Sequence, residues 1–419
     1  MHRPIAAPII LIFALPAFGQ TYIPPEPGAV ARPVADKLAE TVSARDFGAH
    51  GDGVTDDTGA LNTAIEAART ANHSLFIPAG NYLIRGLTIT GGIDIYGEGA
   101  PLNSVLTYTG SGTALRLENA GGRLRNLNIA STGNAAAGIE IVTASELYLD
   151  HIEVGGGPRT KFATGVRLTE SGAVTLEHYV SSWNDTGVLL DRGKSASAHI
   201  VIQSSNFFEQ SAAAIQIRQA TEVYIEKNWM EAFQTGVLLD NQDAIVCANS
   251  IFVRNNSMVS IKPDSLALKV NGSNPSNGIY TYNFQFEGNK IIKSSGSYNV
   301  ELRYRSAAPD SIARFGFRNN IFSGASSAAV FGDSPLIRTY SENDMTDPFG
   351  PSIPVFSDGL SATSIRSGLL QLGSTPESGD CGERTRGSIL YQAGAAGSKD
   401  NLKICVKNAS DTYGWVAIY

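Results

Sequence analysis

Five short segments recur along the middle of this chain: "AGIEI" (137–141), "TGVRL" (164–168), "TGVLL" (186–190), "AAIQI" (213–217) and "TGVLL" (235–239). Their second residues, Gly138, Gly165, Gly187, Ala214 and Gly236, are spaced by 27, 22, 27 and 22. Between them runs a second unit, an apolar alternation ending in Asn: "VYIEKN" (223–228), "IFVRNN" (251–256), "FQFEGN" (284–289), "FGFRNN" (315–320) and, less regularly, "RTYSEN" (338–343). "IVIQSSN" (200–206) is the same unit with one extra residue. Period-2 strands on a repeat of 22 to 33 residues are too closely spaced for helical solenoid units. They fit the coils of a parallel β-helix. Each coil would supply two or three short strands, stacked at about 4.8 Å. Asn at one point of successive coils would form a ladder, since it tolerates left-handed turns and its amides bond along a stack. A sandwich or a propeller is the alternative, although a propeller blade needs a longer and more constant period. With 43 glycines and only 17% charged residues among 419, the composition suits an all-β chain rich in turns.

The ends read differently. His2 and Arg3 precede an apolar run, Ile9 to Ala17, and then Ala17-Phe18-Gly19. This pattern predicts a signal peptide over 1–19 and a mature protein that is secreted, extracellular or periplasmic. The run is too short to span a bilayer, and no later segment is long enough. From Asp46, "DFGAHGDGVTDD" is a glycine-broken acidic loop. Thr58 would cap a helix after it, with Asp56 and Asp57 favoured by the helix dipole. Leu61, Ala64, Ile65 and Ala68 fall on one stripe, as a helix covering the open first coil requires. The parallel β-helix is assigned to 41–350 and a linker to 351–367. A small β-module follows at 368–419, closed by a Cys381–Cys405 disulfide that an exported protein can keep. Cys247 reads as a small buried hydrophobe. Net charge is −7 with no basic stripe, which argues against nucleic acid.

"VSARDFGAHGDGVTDDTGALNTAIEAA" (42–68), "SLFIPAGNYLI" (74–84) and "GGIDIYGEG" (91–99) resemble the opening segment of the pectate lyase superfamily. That superfamily groups rhamnogalacturonase-like, epimerase-like and tailspike-like proteins. The resemblance implies a right-handed parallel β-helix that cuts or binds polysaccharides, acidic ones among them. No cofactor is evident from the residues; Ca2+ enters by the resemblance alone. The Gly-His-Gly and Arg-Ile-Lys motifs of polygalacturonase-like members are absent, so that mechanism is not carried over. Asp52, Asp56 and Asp57 could be metal ligands, but capping accounts for two of them.

Aligning the ladder residues Asn206, Asn228, Asn256, Asn289, Asn320 and Asn343 predicts the columns. Two positions later come Phe208, Met230, Met258, Ile291, Phe322 and Met345, an inward column; its neighbours on either side point outward. Glu209 and Glu231 should then stack on adjacent coils beside Phe207 and Trp229. Two carboxyls about 5 Å apart can divide into acid and nucleophile for glycoside cleavage, and an exposed Trp gives a sugar a stacking surface. The candidate catalytic residues are therefore Glu209, Glu231 and Asp185. The candidate substrate-binding residues are Trp229, Phe207, Lys227, Trp183 and His178. The extra residue in "IVIQSSN" leaves the Glu209 column open by one step. A repeated turn, with the glutamates bonding backbone amides, is the structural alternative. His50, His73, His151 and His199 show no partner pattern. The expected function is an exported polysaccharide lyase or glycoside hydrolase; the alternative is a non-catalytic module for carbohydrate binding or surface attachment.

Overall fold

The computed structural model describes residues 20–99, 103–157, 160–240, 249–274, 282–306, 313–332, 337–342, 344–346, 362–366, 389–392, 401–410 and 412–417. The signal-peptide segment, Cys247 and Cys381 lie outside them. The chain is all-β: a right-handed parallel β-helix with a helix near its start and a small antiparallel sheet near its end. It forms two compact units, Met1–Asn184 and Asp185–Tyr419.

In the first unit, strand Thr41–Ser43 pairs in parallel with Ser74–Ile77. The same sheet continues through Leu87–Gly97, Thr113–Ser131, Ser145–Gly155 and Gly172–Glu177. Helix Thr58–Ala71 buries Leu61, Ala64, Ile65 and Ala68, the stripe expected. It packs on the turn Ala44–Phe47 and on the strands that begin the stack. Its N-terminus departs from expectation. Thr58 is the first helical residue; the N-cap residue Asp57 makes no side-chain capping bond, and the Asp56 carboxylate accepts the Thr58 N–H at 3.1 Å. The buried Asp57 instead accepts the backbone N–H groups of His50 (2.7 Å) and Gly51 (3.0 Å). Asp56 accepts the Thr58 hydroxyl at 2.6 Å, and Asp52 accepts the N–H groups of Val54 and Thr55. The aspartates thus clasp the loop, because its glycine-rich backbone leaves amides that no strand can satisfy.

In the second unit each coil contributes three strands. Ala213–Ile217, Ala220–Glu226 and Trp229–Glu231 make one coil, and Thr235–Asp240, Asn249–Arg254 and Ser257–Ser260 pair with them in parallel. Gly187 and Gly236 open their coils because no side chain fits there. A Cβ on Gly187 would lie 2.5 Å from the Ala214 carbonyl oxygen and 2.6 Å from the Phe207 ring; on Gly236 it would lie 2.7 Å from the Ala267 oxygen. Pairing also runs past residue 350. Ala362–Arg366, inside the stretch read as a linker, pairs in parallel with Ile337–Glu342. Strands Ile389–Gln392, Asn401–Lys407 and Tyr413–Ala417 form the antiparallel module, with Cys405 fully buried in its middle strand.

The ladder is an interior one. Asn228, Asn256, Asn289 and Asn320 are buried. Each donates one amide hydrogen to a backbone carbonyl, Asn256 to Ile225 and Asn289 to Val253 (2.9 Å each). The other goes to the next rung, Asn228 to Asn256 and Asn256 to Asn289 (3.0 Å each). Each rung's oxygen also accepts the backbone N–H of the rung before it, as Asn256 does from Asn228 (2.9 Å). Buried amides satisfied on every side stabilise the stack and hold its register. The left-handed backbone belongs to the preceding residue: Lys227, Asn255, Gly288 and Asn319 have φ between 54° and 65°. The ladder ends differ from the sequence alignment. Ser205, not Asn206, donates its N–H to Asn228 (3.0 Å), and Asp344 accepts from Asn320 (2.8 Å). Met345 therefore pairs with Ile321 and is 57% exposed, not inward.

Candidate functional site

The one-step shift at Ser205 decides the first site. Strand Asn206–Phe208 pairs with Trp229–Glu231 as Asn206 to Trp229, Phe207 to Met230 and Phe208 to Glu231. Phe207 is fully buried in the inward column, which corrects its expected place on the surface. Phe208 takes the outward position beside Glu231. Glu209 then falls in the turn, left-handed at φ 60°, and does not share the Glu231 column as expected. The glutamates are instead diagonal neighbours: the Glu209 N–H donates to the Glu231 carbonyl at 3.1 Å.

Around them the side chains converge. Trp229 is 41% exposed, and its indole N–H donates to the Glu231 carboxylate at 3.0 Å. The Glu209 carboxylate lies 3.6 Å from the Lys262 ammonium, which donates to the Gln210 carbonyl at 2.8 Å. Lys227 is exposed in the turn before the ladder, with its N–H on the Arg254 carbonyl. Asp185 is half-buried; its carboxylate accepts the Ser211 hydroxyl and its carbonyl the Ala212 N–H (2.8 Å). An exposed indole ring bonded to one carboxylate, with a second carboxylate and its ammonium partner on the neighbouring turns, can stack on a sugar and bond its hydroxyls.

The remaining candidates, His178 and Trp183, belong to the first unit. Trp183 is 39% exposed in a left-handed turn. His178 has a partner that the sequence reading missed. Asp150 pairs with Glu177 on the adjacent coil, so His151 and His178 follow at matching turn positions. Their rings stack with centroids 4.4 Å apart. Both Nδ1 atoms meet the same Asp150 oxygen, at 2.7 Å from His151 and 3.0 Å from His178. Burial by itself raises the Asp150 carboxyl; the hydrogen bond from His178, with the bond and charge of His151, outweighs it and holds the group below its usual value. The reading of His151 as without a partner is corrected here. So are those of His199, 3.6 Å from Glu222, and His50, 3.8 Å from Asp57. The interval from His151 to His178 is 27 residues, the same as that from Gly138 to Gly165, and this shared coil length was the available signal. On the same sheet, Arg123 lies over the Tyr148 ring and Arg125 over the Tyr96 ring, 5.5 and 4.9 Å from the centroids.

The family profile described as rhamnogalacturonase A/epimerase, pectate lyase-like, matches residues 41–262, more than half of the 419 residues. The chain belongs to this family. The tail spike protein of Shigella phage Sf6 is 38% identical over 121 residues, covering 26% of this chain and 19% of the spike. The chain thus spans about a fifth of that relative. Two solved structures share the fold. The A-module of the Azotobacter vinelandii mannuronan C-5 epimerase AlgE6 is 15% identical, with a TM-score of 0.54 over 77% of this chain and 99% of that one. The Streptococcus pneumoniae surface protein and adhesin PfbA is 15% identical, with a TM-score of 0.50 over 78% and 99%.

Proposed function

We propose that the protein is exported and degrades a polysaccharide, as a lyase or a glycoside hydrolase, holding the chain on the outward face around Trp229. The observation that carries this reading is the Trp229 ring, exposed on its coil and fixed by its hydrogen bond to Glu231. A ring so held offers the apolar face of a sugar a surface that needs no ordering on binding. Glu231 and Glu209, on adjacent coils, are the groups that would transfer protons at the scissile bond. A relative in the same fold is named for mannuronan, which supports a polysaccharide as the ligand class.

A second reading, a non-catalytic module for carbohydrate binding or attachment, rests on the column itself. Glu231 has Phe208 and Val259 as its neighbours on the two adjacent coils, so no carboxylate flanks it in its column. PfbA, a fold neighbour, is named a surface adhesin. Incubation with a panel of plant and microbial polysaccharides separates the two. New reducing ends or unsaturated uronates with falling chain length support the enzyme. Retarded migration in a glycan gel at constant chain length supports the binding module. A panel on which nothing is bound or shortened would remove the proposal.

A further inference from the structure

The Asp150 cluster has a geometry that carboxylate–histidine hydrogen bonding does not require. One oxygen and two ring nitrogens converge within 4.8 Å of one another. The oxygen-to-nitrogen distances are 2.7 and 3.0 Å. Metal–ligand bonds of about 2.1 Å put neighbouring donor atoms roughly 3 to 3.4 Å apart, from octahedral to tetrahedral angles. The Asp150 oxygen therefore already stands close to that spacing from each imidazole nitrogen. The three side chains are 48%, 46% and 41% exposed for His151, His178 and Asp150, so the remaining corners are open to water. The left-handed backbone at His151 and His178 is also found at Asn126, so it belongs to the turn and not to the cluster.

We propose that Asp150, His151 and His178 bind one divalent late first-row transition ion. Two imidazoles favour such ions over Ca2+ and Mg2+, which prefer all-oxygen shells. Binding requires each imidazole to move the proton that its Nδ1 now donates to Asp150 onto Nε2, which frees the Nδ1 lone pair for the ion. Three protein ligands with open positions describe an exchangeable site, not a closed structural one. Among the described residues the other histidine–carboxylate pairs, His50 with Asp57 and His199 with Glu222, gather no third donor. The site is built from residues of the first unit and shares none with the proposed function, so each proposal stands or falls alone.

The test is calorimetric titration of tag-free full-length protein, stripped with a chelator, with zinc chloride. One zinc should bind per chain. His151→Ala and His178→Ala should each weaken binding about tenfold or more, while His50→Ala and His199→Ala leave it unchanged. Calcium chloride should give no saturable heat at the same concentrations. The side chains are half exposed, so the variants should melt with the parent, which a thermal scan checks. Absent zinc saturation, zinc binding untouched by His178→Ala, or calcium bound as tightly as zinc would overturn the assignment.

Discussion

Trp229 and Glu231 have different work in the proposed site, and substitution should divide it. Trp229→Ala removes a stacking surface and no proton donor. It should weaken glycan retention about tenfold, the equivalent of about 1.4 kcal/mol, and leave turnover of bound chains nearly unchanged. Glu231→Gln keeps the hydrogen bond to the indole but cannot transfer a proton. It should lower turnover on the order of 100-fold or more with an unaltered melting curve. A stably folded Glu231→Gln protein with parental turnover would remove Glu231 from the mechanism. At this scale the sequence was legible wherever a residue type marked its own place. Asn228, Asn256, Asn289 and Asn320 announce the interior ladder by recurring. Ser205 does not, since a serine on the rung looks like any loop serine, and one inserted residue carried Phe207 inward and Glu209 into the turn. The Asp150 cluster was hidden for a related reason. Ile152 and Tyr179 stand where later coils carry Asn, so no ladder marks the register there.

The leading helix and the buried lysine of strand Lys290–Lys293 show what single elements contribute. Leu61 is fully buried between the helix and the first strands. Leu61→Asp loses that burial and adds a charge with no partner, at a cost of about 4 kcal/mol or more. The denaturation midpoint should fall, and the uncovered edge strand should promote association seen by size exclusion. A variant as stable and monodisperse as the parent would show that the helix is no cap. This helix was readable in advance because its stripe has one period; its N-terminus was not, because Asp57 turned back to accept the loop amides of His50 and Gly51. Lys293, on strand Lys290–Lys293, is buried and donates to the carbonyls of Ser265 (2.9 Å) and Tyr298. Burial lowers its pKa to about 8, against the opposing pull of Asp264, from an ordinary 10.5. Between those values the unfolded chain holds a proton that the folded chain has lost, so stability rises with pH across that window. The gain should be on the order of 1–2 kcal/mol, since solvent screening discounts the shift. Denaturant midpoints measured from pH 7.5 to pH 11 should show this rise in the parent, and Lys293→Met should flatten it.

For the whole molecule, the repeat made the architecture legible. Coil lengths of 22 to 33 residues admit few folds, and the opening motif agrees with the family match. The extent of the stack was less legible, because Ala362–Arg366 carries neither the glycine nor the Asn that marks other coils. Export predicts two features of protein recovered from its native host. The mature chain should begin near Gln20, and Cys381 should be bonded to Cys405, closing a loop of roughly twenty residues and stabilising the module by about 3 kcal/mol. Intact mass and non-reducing peptide mapping read both; a retained Met1 or two free thiols would contradict them. The most direct test of the account is hydrogen exchange over the full chain, with and without the glycan that the panel identifies. Protection should appear in Asn206–Phe208, Trp229–Glu231 and Ser257–Ser260 and in the turns that carry Glu209 and Lys262. Exchange unchanged in those strands at saturating glycan would contradict a site built on Trp229.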